Sequence, residues 1–271
     1  MLRPFYLPWW WVVASVVVIS GSWGFGGLSV RAEEVQTRAG VHGDRLRIML
    51  GFQVKAEAVQ QRLPAPWRLG TPDSGPDKGA NLFVILVDRV RDDEAERKPS
   101  FSGANRIINL AAPARHPQTG EMASIILGGW ASNPANVPGF YQVYRAATVH
   151  IEHARKDQPG EAEEVTDVWD VRDAAGHGGL ELRMQSRREM VARRTVRGEA
   201  RVVSATDPDL WQLHKFDAAA EVVKSVPEGI NKVQGYTFRL SAPEYGELFD
   251  GSEQLISIRV TPWYVRQVLV R

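Results

Sequence analysis

The chain has 271 residues, of which 44% are hydrophobic and 24% charged, with a formal net charge of +1. That is enough apolar material for the core of one large β-rich domain or two small ones, and too even a charge balance for a general nucleic-acid binder or a polybasic membrane binder. With no cysteine in the sequence, disulfides, thiolate metal sites, cysteine lipidation and thiol nucleophiles are all excluded.

The first 32 residues differ from the rest. Arg3 stands in a short leading region, Trp9–Ser20 is an uncharged apolar run, and Val30 and Ala32 are small residues placed for cleavage before Glu33. This pattern predicts a signal peptide over 1–32 and an exported body, 33–271, that is periplasmic or secreted and free of the membrane after cleavage. Residues 5–30 carry no charge and are long enough to span a bilayer, so a membrane anchor is the alternative; the glycines at 21, 24, 26 and 27 favour the signal peptide. Without Arg3 and Arg31 the body carries 33 − 2 = 31 basic against 32 acidic residues.

In the body, Arg45–Val54 alternates strictly. Leu46, Ile48, Leu50, Phe52 and Val54 share one face, and Arg45, Arg47, Met49 and Gln53 the other, which predicts a strand. Ala56–Leu63 reads as a short helix stopped by Pro64 and Pro66. Strands are expected at Asn81–Val90, Arg106–Ala112 and Met122–Trp130, then through the tyrosine- and histidine-rich stretch Val137–His153, and at Glu163–Val171, Gly179–Ser186 and Ala192–Ser204. Asp207–Ser225, with Asp207 as N-cap and Pro208 in the first turn, predicts a helix. Further short strands close the chain. No repeat, heptad or linker is visible. The sum is one mostly-β domain with few helices, a barrel or a sandwich.

His150 and His153 spell H-x-x-H, but in a strand the two side chains leave on opposite faces, so no metal site is expected. Arg183, Arg187, Arg188, Arg193, Arg194, Arg197 and Arg201 form a dense run. Acidic partners on a solvated face would neutralise most of them, and one or two could clamp a carboxylate in a pocket. There is no G-x-S-x-G elbow, P-loop or Rossmann glycine pattern.

Asp44–Leu69, with a strand starting at Arg45, a short helix and then "LPAP" (Leu63–Pro66), resembles the acetoacetate decarboxylase-like superfamily, and so does the closing "LFD" segment with its final strands. The resemblance implies a closed, cone-like antiparallel β-barrel with few short helices around a central pocket; no cofactor or metal is expected. The family's enzymes attack with a Schiff-base lysine on a segment that "PGFYQVYRAATV" resembles, Gly139 falling at the family's glycine. The lysine slot holds Arg145, Ala146 and Ala147, and no lysine occurs between Lys98 and Lys156. Arginine does not form the neutral amine that the chemistry needs. The family's pocket carboxylate is missing too, since Arg106–Ala112 contains none. Of three hallmarks only Arg45 remains.

The expected function is therefore binding of a small or medium organic acid without decarboxylation. Arg45 and Arg145 would pair with the carboxylate, while Trp130, Tyr141 and Tyr144 cover the apolar part. A homo-oligomer is compatible with this reading. The alternatives are a keto-acid lyase with a displaced lysine, Lys215 or Lys232, and a lipocalin-like lipid carrier with no arginine in its cavity.

Overall fold

The computed structural model describes residues 40–93, 103–136, 143–157, 160–209 and 211–270. The apolar run of the first 32 residues and Tyr141 lie outside these. In chain order the elements are β1 (Gly40–Gln53), α1 (Ala56–Gln60), β2 (Arg68–Leu69), β3 (Leu82–Asp93), β4 (Asn105–Arg115), β5 (Met122–Ala131), β6 (Tyr144–Lys156), β7 (Glu163–Asp173), β8 (Gly179–Arg188), β9 (Arg194–Ser204), β10 (Trp211–Ser225), β11 (Ile230–Asn231), β12 (Val233–Leu240) and β13 (Gln254–Val270).

Pairing closes a ring. The strand order runs β5–β9–β10–β13–β1–β3–β4, and β4 pairs back onto β5, so seven strands form a barrel. Long antiparallel ladders join six of these contacts, such as β1 with β13 from Gly40↔Val268 to Gln53↔Gln254. The seventh is parallel and short: Ser124↔Val202, Ile125↔Val203 and Ile126↔Ser204. The closed barrel with few helices is as expected, with a parallel seam that an all-antiparallel ring would lack. β6, β7, β8 and β12 make a second, antiparallel sheet, joined to the barrel where β6 pairs with β5 at Gly129↔Tyr144.

The main core lies between the barrel's outer face and this second sheet. Ile48, Leu50, Leu82, Leu86, Ile108, Leu110 and Ile125 of the barrel cluster with Trp169, Leu180, Leu182 and Met184, all 0–1% exposed. Alternation explains this. In β1 the apolar set Leu46–Phe52 turns outward under α1 and the second sheet, which leaves the Arg47–Met49 face for the lumen.

Of the predicted helix over Asp207–Ser225, Trp211–Ser225 is instead β10, laddered to β9 from Trp211 to Ala220 on one side and to β13 from Gln212 to Ser225 on the other. Its three consecutive alanines and Asp-Pro start favour a helix locally, but two long neighbouring strands decide the outcome. At Gly128 a Cβ would meet the Tyr245 hydroxyl at 2.2 Å, so only glycine lets that ring pack onto β5.

Candidate functional site

A cavity of about 500 Å³ fills the barrel lumen, and all seven ring strands contribute to its wall. Its apolar surface comes from residues such as Met49, Phe83, Ile85, Ile126, Phe216 and Tyr264. Phe216 and Tyr264 stack at 5.9 Å with 21° between their planes. Four arginines also line it: Arg47, Arg201, Arg259 and Arg266. No lysine lines it among the described residues.

One end is a buried polar network. Asp44 accepts from Arg47 Nη2 at 2.9 Å and faces Arg89 Nε at 3.4 Å. Burial pushes the Asp44 carboxyl up, but the Arg47 and Arg89 guanidiniums outweigh it and hold it below its ordinary value. Arg266 donates through Nε and Nη2 to His42 Nδ1 at 3.1 and 3.0 Å, and its Nη1 lies 3.3 Å from His214 Nδ1. His42 Nε2 then meets Asp92 at 2.9 Å and His214 Nε2 meets Gln212 Oε1 at 2.9 Å, so each ring is a neutral tautomer with its proton on Nε2. Burial, with Arg89 second, lowers His42 to about 4. Burial and Arg266 lower His214 likewise.

Arg47 lies 3.9 Å over the Tyr264 ring, and Arg259 Nη2 pairs with Asp77 at 2.6 Å. Each of these two arginines keeps a buried Nε with no hydrogen-bond partner in the protein, as does Arg201. A buried charged donor left unmatched is costly.

The sequence-predicted residues divide. Tyr144 does reach the barrel interior: its hydroxyl donates to Asn109 Oδ1, a lumen residue, and burial raises its pKa. Arg45 does not face the lumen. β1 and β3 carry opposed bulges, and Arg45 is the extra residue between the pairs Asp44↔Arg89 and Leu46↔Asp88. It points outward to Asp88 at 2.7 Å, 65% exposed, and Arg47 takes the inner position.

Trp130 is not pocket wall either. Leu127 is the extra residue of a β5 bulge between Leu110↔Gly128 and Ala111↔Ile126, which turns Trp130 outward into the core. There its Nε1 donates to Asp173 Oδ2 at 3.0 Å and its ring meets Tyr245 edge-on at 5.6 Å. Arg145 follows Tyr144 in a strand and so leaves on the other face, pairing with Asp173 at 2.9 Å and Glu244 at 2.5 Å. Tyr141 is outside the described residues.

His150 pairs with Glu152 at 3.1 Å on the surface, while His153 binds the buried Asp167 at 2.6 Å. Among the described residues no group of three or more His, Asp or Glu is placed to hold a metal. Lys215 pairs with Glu199 at 3.0 Å and Lys232 with Glu221 at 2.9 Å, neither on the lumen wall. Of the arginine run, Arg188, Arg193 and Arg197 have acidic partners, and Arg201 pairs with Glu121 while also lining the cavity.

The residues missed in the sequence are Arg47, Arg259, Thr261, Arg266 and His214. Their signal was present: polar residues at alternate positions in otherwise apolar strands, as in Arg259–Thr261 of the last strand.

No family model matches the sequence, and no curated protein is similar to it. Solved structures are similar. An acetoacetate decarboxylase from Legionella pneumophila is 11% identical at a TM-score of 0.50, over 93% of this chain and 98% of that one. An acetoacetate decarboxylase-like enzyme from Sphingomonas wittichii is 12% identical at 0.49, over 86% and 91%. The enduracididine biosynthesis enzyme MppR is 11% identical at 0.48, over 95% and 97%.

Proposed function

Starting from the acetoacetate decarboxylase-like fold that this chain shares, we propose that the barrel lumen binds an organic acid and leaves it intact. The carboxylate sits against Arg47 at the polar end, and an aromatic or aliphatic body lies along Met49, Phe83, Ile85 and Phe216. The observation that carries this reading is the unmatched Nε of Arg47, buried in the wall of a largely apolar 500 Å³ lumen. Arg47, Arg259 and Arg266 on the inward face of the wall weigh against a lipid carrier, which needs no charge inside. Decarboxylation through an imine needs a neutral amine on the wall, and among the described residues the basic groups of the lumen are guanidiniums and the neutral His214 imidazole. The leading segment supports export, which N-terminal sequencing of protein recovered outside the cytoplasm tests by a start at Glu33.

Binding is tested with anilinonaphthalene sulfonate as fluorescent probe and phenylbutanoate as competitor. Phenylbutanoate displaces the probe and phenylbutanamide does not. Arg47→Met weakens the acid about 10- to 100-fold, the worth of a hydrogen bond to a charged group. Equal competition by acid and amide overturns the reading. Incubation with acetoacetate and borohydride leaves the mass unchanged; an adduct on one lysine, lost on Lys→Ala there, restores the enzyme.

A further inference from the structure

Most of the lumen wall is lined at alternate positions: Arg47 and Met49, Phe83 and Ile85, His214 to Ala220 by twos, Arg259 and Thr261. A closed wall shows a cavity only one face of each strand. Two segments break this rule. Met122, Ala123 and Ser124 line the cavity consecutively, and so do Glu199, Ala200, Arg201 and Val202. Consecutive residues point to opposite faces, so the cavity there passes around the strand edge.

These segments run into the first pair of the β5–β9 seam, which holds only from Ser124↔Val202 to Ile126↔Ser204. Upstream of it, Arg194–Arg201 pair with β10 alone among the described residues. Met122 and Val196, both lining residues, are 44% and 39% exposed. Arg201 stands at this break. It reaches from β9 to Glu121 at the head of β5, lies 4.3 Å over the Trp211 ring, and keeps its buried Nε without a partner.

We infer that ligand enters the barrel sideways, ahead of the seam, where Arg194–Arg201 of β9 have no β5 partner and β5 contributes only Met122 and Ala123, and that Arg201 is the specificity-determining residue of this portal. Its Nε–H offers an incoming carboxylate a first contact while the Glu121 pairing holds the guanidinium in place. The acid then passes inward to Arg47. This inference rests on the organic-acid reading and adds a route and a selecting residue to it.

The chain has no cysteine, so one introduced thiol is a unique label site. Met122→Cys and Val196→Cys are each compared before and after reaction with a polyethylene-glycol maleimide, with Val226→Cys, 59% exposed and away from the cavity, as control. Stopped-flow uptake of anilinonaphthalene sulfonate slows about tenfold or more on labelling at 122 or 196 and is unchanged by the label at 226. Arg201→Gln slows the sulfonate probe several-fold and leaves its neutral counterpart, N-phenylnaphthylamine, as fast as before. If wild type takes up neither probe, the organic-acid reading falls and this inference with it. If it takes up the sulfonate but labels at 122 and 196 do nothing, the lateral portal is overturned and the reading stands. If the labels block uptake but Arg201→Gln affects both probes alike, Arg201 is not the selecting residue.

Discussion

The two faces of the barrel wall differ sharply. The outward face of β1 carries Leu46, Ile48, Leu50 and Phe52, all at most 5% exposed beneath α1 and the second sheet. The inward face of the same strand carries Arg47 and Met49 and continues into the Asp44–Arg89–Arg266 network. The greasier face therefore lies outside the ring and the charged one inside. In a barrel clad by a second layer, the apolar stripe marks where the cladding sits, and the polar alternate positions mark the lumen.

The largest effect belongs to the outer face. Trp130→Ala empties a fully buried site and removes the donor to Asp173, at a cost of ~3–5 kcal/mol in denaturant unfolding. The folded fraction still binds the sulfonate probe; loss of binding in properly folded protein would show that the two faces are not independent.

A smaller effect comes from the inner face through pH. His42 is held down to about 4 from 6.5, so between these values the unfolded chain takes up a proton that the folded one refuses. Stability therefore falls as pH drops through that window, by roughly 3 kcal/mol from His42 alone. His42→Asn, whose Oδ1 stands in for Nδ1 towards Arg266, flattens the slope. A slope that persists unchanged assigns the acid sensitivity to other groups.

The smallest effect is at the bulge. Arg45→Ala breaks a mostly exposed pair with Asp88 and shifts stability by less than about 1 kcal/mol, with acid binding unchanged. The contrast with Arg47→Met, two residues on, is the sharpest test of which face each residue occupies.

Most strands could be read directly from alternation, because β6, β7 and β8 pair without a register shift and β1 keeps a period of two from Leu46 to Leu50. The site was less legible, and two of its errors share one cause. A bulge at Arg45 and another at Leu127 each insert one residue, and one residue reverses every later side chain. Unbroken alternation would put Arg45 on the face of Arg47 and Trp130 on the face of Ile126, and the bulges undo both. Arg145 failed more simply, since Tyr144 and Arg145 are adjacent in a strand and only one of them can face inward. β10 failed because its alanines favour a helix, while the ladders that override them come from β9 and from β13 at the far end of the chain.

The three-residue parallel seam also governs how this chain can assemble. β6, β7 and β8 pair in sequence as a local meander and need nothing distant. The seam joins β5 to β9 across that whole meander, and β1 meets β13 only when the last strand has been made. Ring closure thus has a high contact order and its loop entropy is the larger cost, whereas the pairings of the meander are local. Until the ring closes β5 and β9 each present an open edge, and the interval before closure is when this protein is most exposed to pairing with another copy of itself.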